Sequence, residues 1–219
     1  MPSSGLELLW QVAPQLGRGA IQTLAIALAA ILCSTLGGLL YGVLGSLGRR
    51  ALDALLRFYL ELFRAIPLLV WLYLFFFGLP LLTGVSLSSF ACAVLVLSLW
   101  GASEVGEVVR GGLQSLPRAQ REAGLALGLS TWQLYRLVLI PQALKRMTPP
   151  TINVYTRLIK GSSLAVLIGV IEVIKVGQQI IERTHEHVLI YGTLFVFFFL
   201  ICYPLSLASR ALERRWSYA

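Results

Sequence analysis

"REAGLALGLSTWQLYRLVLIPQAL", residues 121–144, carries three charged residues, two glycines and a proline between stretches that are almost wholly apolar. Just upstream, Pro117 suits the first turn of a helix, where its missing N–H costs nothing. A helix is therefore predicted over "PRAQREAGLAL" (117–127), ~16 Å long at about 1.5 Å per residue. Gly128 is placed to end it, because glycine enters the left-handed conformation that closes a helix without a Cβ penalty. Ser130 then caps a second helix, with Gln133 three positions on to complete a capping box, and "TWQLYRLVLI" is expected to end near Pro141. Neither helix is long enough or apolar enough to cross a bilayer. An amphipathic helix lying on a lipid surface needs a broad apolar face. Ala119, Ala123, Gly124, Ala126 and Gly128 offer instead a compact surface suited to protein contact.

Outside this stretch the chain is a membrane protein by composition. Of 219 residues, 57% are hydrophobic and only 13% charged, against about 25% charged in soluble domains; the mean hydropathy is +0.79. A helical crossing needs about 20 apolar residues. Five stretches qualify, near 19–47, 55–80, 85–101, 153–176 and 188–209, in one transmembrane domain over 1–219. The first contains "CSTLGGLLYGVLGSLG" (33–48), rich in the small residues that let helix backbones approach closely in lipid. "LLTGVSLS" (81–88) is a short uncharged turn, 104–150 a polar insertion between spans three and four, and "GQQIIERTHEH" (177–187) a separator of spans four and five.

Fifteen of the 18 Lys and Arg residues fall after span one, between spans three and four, and after span five. The positive-inside rule then puts the N-terminus outside and the C-terminus in the cytoplasm. The net charge of +8 is explained by that topology, and no nucleic-acid surface is inferred. No basic stretch precedes a short apolar run, so no cleavable signal is expected. Cys33, Cys92 and Cys202 lie inside apolar spans without CxxC spacing, which supports neither a disulfide nor a metal site. His185 and His187 in "ERTHEH" (182–187) are expected to be solvated loop residues or a contact for a partner, not metal ligands.

Charges at the feet of the spans are the candidates for function. Glu61 and Arg64, three apart ahead of Pro67, are expected to neutralise each other, with Pro67 bending the entry to span two. Glu107 and Arg110 form either a structural pair or part of a solute path. Glu104 either attracts a substrate ammonium group or faces cytoplasmic water. No internal repeat is visible, and five spans are few for a complete pathway, so the pathway is expected to form between two such subunits.

Glu122-Ala123-Gly124, Gly128 and Ile140-Pro141 together resemble the EAA loop of ABC importer membrane subunits, which would span about 115–145 here. Gly124 replaces the second Ala of that pattern. "YLELFRAIPLLV", "GEVVRGGLQSLPRAQ", "PQAL" and "RLIKGSSLAVLIGVIEV" are similar, in order and spacing, to the permeases of the polar amino acid importer family.

The resemblance implies a type I importer fold, all-α with about five spans and a cytoplasmic coupling helix between spans three and four. It implies that Arg121, Glu122, Ala123, Gly124, Gly128, Ile140 and Pro141 serve docking to a dimer of separate ATPase subunits, which carry ATP and Mg. It also implies a second permease subunit, an extracytoplasmic solute-binding protein, a polar amino acid as substrate, and the bacterial inner membrane as location. Within the similar region, Asn153, Lys160, Ser162 and Ser163 join Glu104 and Glu107 as candidates for the substrate path. The family's usual Asp is Gly161 here, so Lys160 is expected to pair with Glu104 or Glu107.

The chain has no G-x-x-x-x-G-K-[ST] sequence, so it holds no P-loop of its own, and it is not expected to be an enzyme. A self-contained channel or ion-coupled carrier is the competing reading. It would need acidic residues in mid-span, whereas the charges here sit mainly at helix feet. A membrane enzyme is disfavoured by the lack of a paired nucleophile and base.

Overall fold

A computed structural model describes residues 5–45 and 49–216. Ten α-helices follow in order: α1 (Gly5–Gly45), α2 (Arg50–Ala65), α3 (Leu68–Tyr73), α4 (Leu79–Thr83), α5 (Ser89–Gln114), α6 (Arg118–Ala126), α7 (Thr131–Leu134), α8 (Ile140–Gly161), α9 (Val173–Thr184) and α10 (His187–Trp216). Among the described residues there is no strand.

Helices α1, α5 and α10 are each long and apolar enough to cross a membrane. Two bent pairs supply up to two more crossings: 50–65 with 68–83, bent by 100°, and 131–168 with 173–184, bent by 54°. The expected second and fourth spans are therefore not straight. Ile66 and Pro67 are extended (ψ 128° and 139°), as the residue before a proline prefers to be, and α2 turns away from α3 at that point. Before α9 the chain leaves α8 through a 3₁₀ stretch, Ser162–Ile168, and turns at Gly169 (φ 87°). The candidate fourth crossing combines 131–168 with 173–184 and so starts well before the predicted 153. Segment 177–187 is largely helical rather than a loop. The polar insertion narrows to 115–139, because α5 extends to Gln114. The first span begins earlier than expected, at Gly5, and residues 46–47 of that prediction lie outside the described residues.

Small residues bring α1 and α5 together, as their spacing suggests. Ser34 meets Gly101, Gly38 meets Val105, and Gly42 meets Val109. All three pairs have the same offset of 67 residues (101−34, 105−38, 109−42), so the two helices run parallel. Side chains on either partner would force them apart: a Cβ on Gly106 would lie 2.2 Å from Tyr41 Cδ1. Antiparallel to α5, α8 packs Met147 on Gly112 and Leu158 on Gly101. The core between these helices is made of Ile26, Phe63, Leu72, Val96, Leu97, Val105, Val154 and Leu158.

At the end of the bundle where α1 starts, Glu172 is fully buried. Its Oε1 accepts the Lys175 N–H at 2.9 Å, capping α9. Its Oε2 lies 3.3 Å from the Thr23 hydroxyl of α1, and that hydroxyl oxygen accepts the Val173 N–H at 3.1 Å. The opposite end carries α6, α7 and the last turns of α10.

Candidate functional site

Loop 115–139 follows the local grammar of its sequence closely. Helix α6 ends in two reverse hydrogen bonds, from Leu129 N–H to Gly124 O at 3.1 Å and from Gly128 N–H to Leu125 O at 3.0 Å. This pattern requires a left-handed residue between them, and Gly128 supplies it at φ 80°. Ser130 Oγ accepts the Gln133 N–H at 3.3 Å, and Gln133 Oε1 accepts the Ser130 N–H at 2.9 Å. The capping box is thus closed in both directions.

In one respect the loop departs from expectation. The second helix does not end at Pro141; α7 passes through a π turn, Tyr135–Leu139, directly into α8. In that turn the Ile140 N–H reaches back five residues to Tyr135 O. A π turn widens the helix by one residue and so reassigns the acceptor that a proline leaves without a donor. Just past the turn, Gln142 Nε2 donates to Val138 O at 3.0 Å. The same arrangement precedes Pro80, where Leu74–Gly78 form a π turn and the Leu79 N–H bonds to Leu74 O.

Of α6 only Gly124 is buried. It packs on Leu134 of α7, where a Cβ would come within 2.5 Å of Leu134 Cδ1. Arg121, Glu122 and Ala123 are exposed, as are Leu125, Leu127 and Trp132. Ile140, Pro141 and Gly128 are likewise at the surface. The outcome is a short helix displaying charge beside apolar side chains, packed through Gly124 on Leu134 and linked by the Gly128 turn to α7, which continues as helix into α8.

Helix α8 leads from this loop to a cluster of charges inside the bundle. Glu104 of α5 is 8% exposed. Its Oε1 accepts from Arg64 Nε at 2.9 Å and its Oε2 from Arg157 Nη2 at 2.8 Å. The Arg157 guanidinium also lies over the Trp100 ring, 5.5 Å from its centroid, a favourable placement for a cation. One helical turn along α5, Glu107 takes both Nε and Nη2 of Arg110, at 2.8 and 2.6 Å.

Two expected pairings are corrected by this geometry. Arg64 does not pair with Glu61, which is exposed, but turns to the buried Glu104. A buried carboxylate gains more from neutralisation than one already solvated. Lys160 reaches neither Glu104 nor Glu107. It opens onto a cavity of about 480 Å³ beside Tyr191, Phe195, Phe199 and Tyr203 of α10. Nor does Glu104 face water.

The remaining candidates lie apart from the cluster. Asn153 lines a separate cavity of about 310 Å³ with Lys145, Arg146 and Glu213. The Ser162 and Ser163 hydroxyls bond back to the carbonyls of Ile159 and Lys160. His185 ends α9 in the left-handed conformation (φ 58°), and His187 opens α10. Arg157 and Trp100 were missed as site residues. The available signal was an arginine placed four residues into an apolar stretch with no acidic residue nearby on its own helix, since an ionisable group inside a span is a functional suspect by default.

Residues 34–218 match the family described as the binding-protein-dependent transport system inner membrane component. The chain belongs to this family. It is 34% identical over 208 residues to the glutamine transport system permease protein GlnP of Escherichia coli (strain K12), covering 94% of this chain and 95% of that protein. It is 32% identical over 202 residues to the arginine transport system permease protein ArtQ of Bacillus subtilis (strain 168), covering 89% and 91%. In three dimensions it superposes on a chain from the crystal structure of an amino acid ABC transporter with histidines, with a TM-score of 0.86, 26% identity and coverage of 98% and 100%. An inward-facing form of the MetNI methionine ABC transporter shares the fold, with a TM-score of 0.75 at 22% identity and coverage of 94% and 98%. The chain is thus a multi-pass membrane permease subunit of the importer type.

Proposed function

We propose that this permease subunit moves a polar amino acid across the bacterial inner membrane, driven by ATP hydrolysed on a separate pair of ATPase subunits. Substrate reaches it from an extracytoplasmic solute-binding protein, and a second permease subunit completes the pathway. The observation that carries the reading is α6. It buries only Gly124, exposes Arg121, Glu122, Ala123 and Leu125, packs that glycine on Leu134 of α7, and is linked through the Gly128 turn to α7, which runs on into α8. A cleft on the ATPase that grips this helix moves α8, and α8 carries Arg157 to Glu104. The distribution of basic residues supports α6 and the C-terminus in the cytoplasm, with the N-terminus outside. The substrates named for the GlnP and ArtQ relatives support an amino acid as cargo.

In this scheme Arg121, Glu122, Ala123, Gly124, Gly128, Ile140 and Pro141 serve the coupling surface. Glu104, joined by Arg64 and Arg157, serves the path. Glu107 supports α5 through Arg110, while Lys160, Asn153, Ser162 and Ser163, which lie apart from Glu104, are given no part in the path. ATP and Mg stay on the partner.

Proteoliposomes test this directly. Uptake of a labelled amino acid is expected only when this chain is reconstituted with its ATPase and when ATP is supplied to the α6 side. Uptake by the chain alone, driven by a solute or proton gradient, overturns the proposal in favour of a carrier.

A further inference from the structure

Three charged groups meet at Glu104, and their balance is uneven. The Glu104 side chain is 10% exposed, whereas those of Arg64 and Arg157 are 44% and 53% exposed. Each carboxylate oxygen is engaged by one guanidinium, through Arg64 Nε on one side and Arg157 Nη2 on the other. A guanidinium carries five N–H donors, so each arginine retains most of its fork for a further acceptor. The second acid of this face is also spent, because Glu107 holds Arg110 in a bidentate pair. Among Arg64, Arg157 and Glu104 the balance is one positive charge, presented by two guanidinium groups that one buried carboxylate holds in place, while the exposed Glu61 lies three residues from Arg64 without forming an ion pair with it.

We infer that this cluster is a receptor for a carboxylate side chain and that the transported substrate class is the acidic amino acids. The inference rests on the importer reading above and deepens it. Guanidinium forks match carboxylates in shape and charge, and a group already fixed by packing loses little freedom on binding. Arg157 is fixed both by Glu104 and by the Trp100 ring. A cationic side chain meets the reverse situation. It finds two like charges, with Glu104 and Glu107 already neutralised and only the exposed Glu61 left at the rim.

Binding to the assembled permease–ATPase complex in lipid nanodiscs, measured calorimetrically with L-glutamate, L-glutamine and L-arginine, decides the matter. Glutamate is expected to bind about tenfold or more tightly than glutamine, since charge-assisted contacts replace neutral ones, and arginine weakest of the three. Arg157→Gln is expected to weaken glutamate binding by a larger factor than glutamine binding, so that the preference for glutamate shrinks or disappears. A merely structural arginine would weaken both alike. Arginine binding as tightly as glutamate overturns the inference. So does ATP-driven uptake confined to cationic or uncharged amino acids, and in that case the importer reading stands. Absence of ATP-driven uptake of any amino acid overturns both.

Discussion

Arg157 Nη2 lies 2.8 Å from Glu104 Oε2, tying α8 to α5 across 53 residues of sequence. The other oxygen of the same carboxylate takes Arg64 at the end of α2. Three helices therefore meet on one buried acid, and it is the element leading from the α6 loop, α8, that supplies Arg157.

Removing that acid leaves two arginines without a partner. Glu104→Gln keeps the shape and discards the charge. Because both arginines are about half-exposed, the cost falls well below that of breaking a fully buried pair, at about 1 to 2 kcal/mol. Thermal unfolding in detergent should show a lower midpoint for Glu104→Gln, while Glu61→Gln leaves it unchanged. An equal drop for both would restore the Glu61–Arg64 pair that the sequence suggests.

Contact between α1 and α5 depends on residues without side chains. Gly106→Ala places a Cβ 2.2 Å from the Tyr41 ring, and overpacking of this kind costs about 1 to 3 kcal/mol. Gly111, in the same helix, has nothing within 4 Å of the equivalent position. Gly111→Ala is therefore expected to be silent, and Gly106→Ala to reduce resistance to unfolding in mixed micelles.

Thr23 holds α9 to α1 through its hydroxyl. Thr23→Val keeps the volume, but strips the Val173 N–H of its acceptor and Glu172 of a partner. The expected loss is about 1 to 3 kcal/mol. Hydrogen exchange at the Val173 amide should quicken in Thr23→Val and recover in Thr23→Ser.

The turn after α6 depends on backbone conformation alone. At Gly128, φ is 80° and a Cβ would meet nothing within 4 Å, so a substitution there is penalised by strain and not by a clash. Gly128→Val should destabilise the turn by about 1 to 2 kcal/mol, and Gly128→Asn by less, because asparagine tolerates this region better. Limited proteolysis between residues 126 and 130 would detect the difference as faster cleavage of Gly128→Val.

Much of this was legible in the sequence wherever the determinants were local. The stop at Gly128, the Ser130–Gln133 box and the small-residue face of α1 depend on neighbours within a few residues, or on one packing rule. The π turns were not legible, since a proline in an apolar run reads equally as a helix end or as a reassigned hydrogen bond. In Tyr135–Leu139 the continued packing of α8 favours the second. The partners of Glu104 were hidden for a different reason. An i, i+3 rule pairs Arg64 with Glu61, but the choice is made by burial, and burial comes from the packing of α5 against α2 and α8. Arg157 was counted only as one of many basic residues until the fold brought it to Glu104.

The central claim is that α6 transmits the work of a partner ATPase to the membrane helices. The most direct measurement is the amount of ATP hydrolysed per amino acid taken up by reconstituted Glu122→Ala complexes. Glu122 is exposed on α6 and makes no contact that holds the fold, so the variant should insert and fold normally. Loss of its charge-assisted docking contact is expected to lower uptake about tenfold while ATP continues to be consumed. An unchanged ratio with normal uptake would contradict the account and leave α6 without a role in coupling.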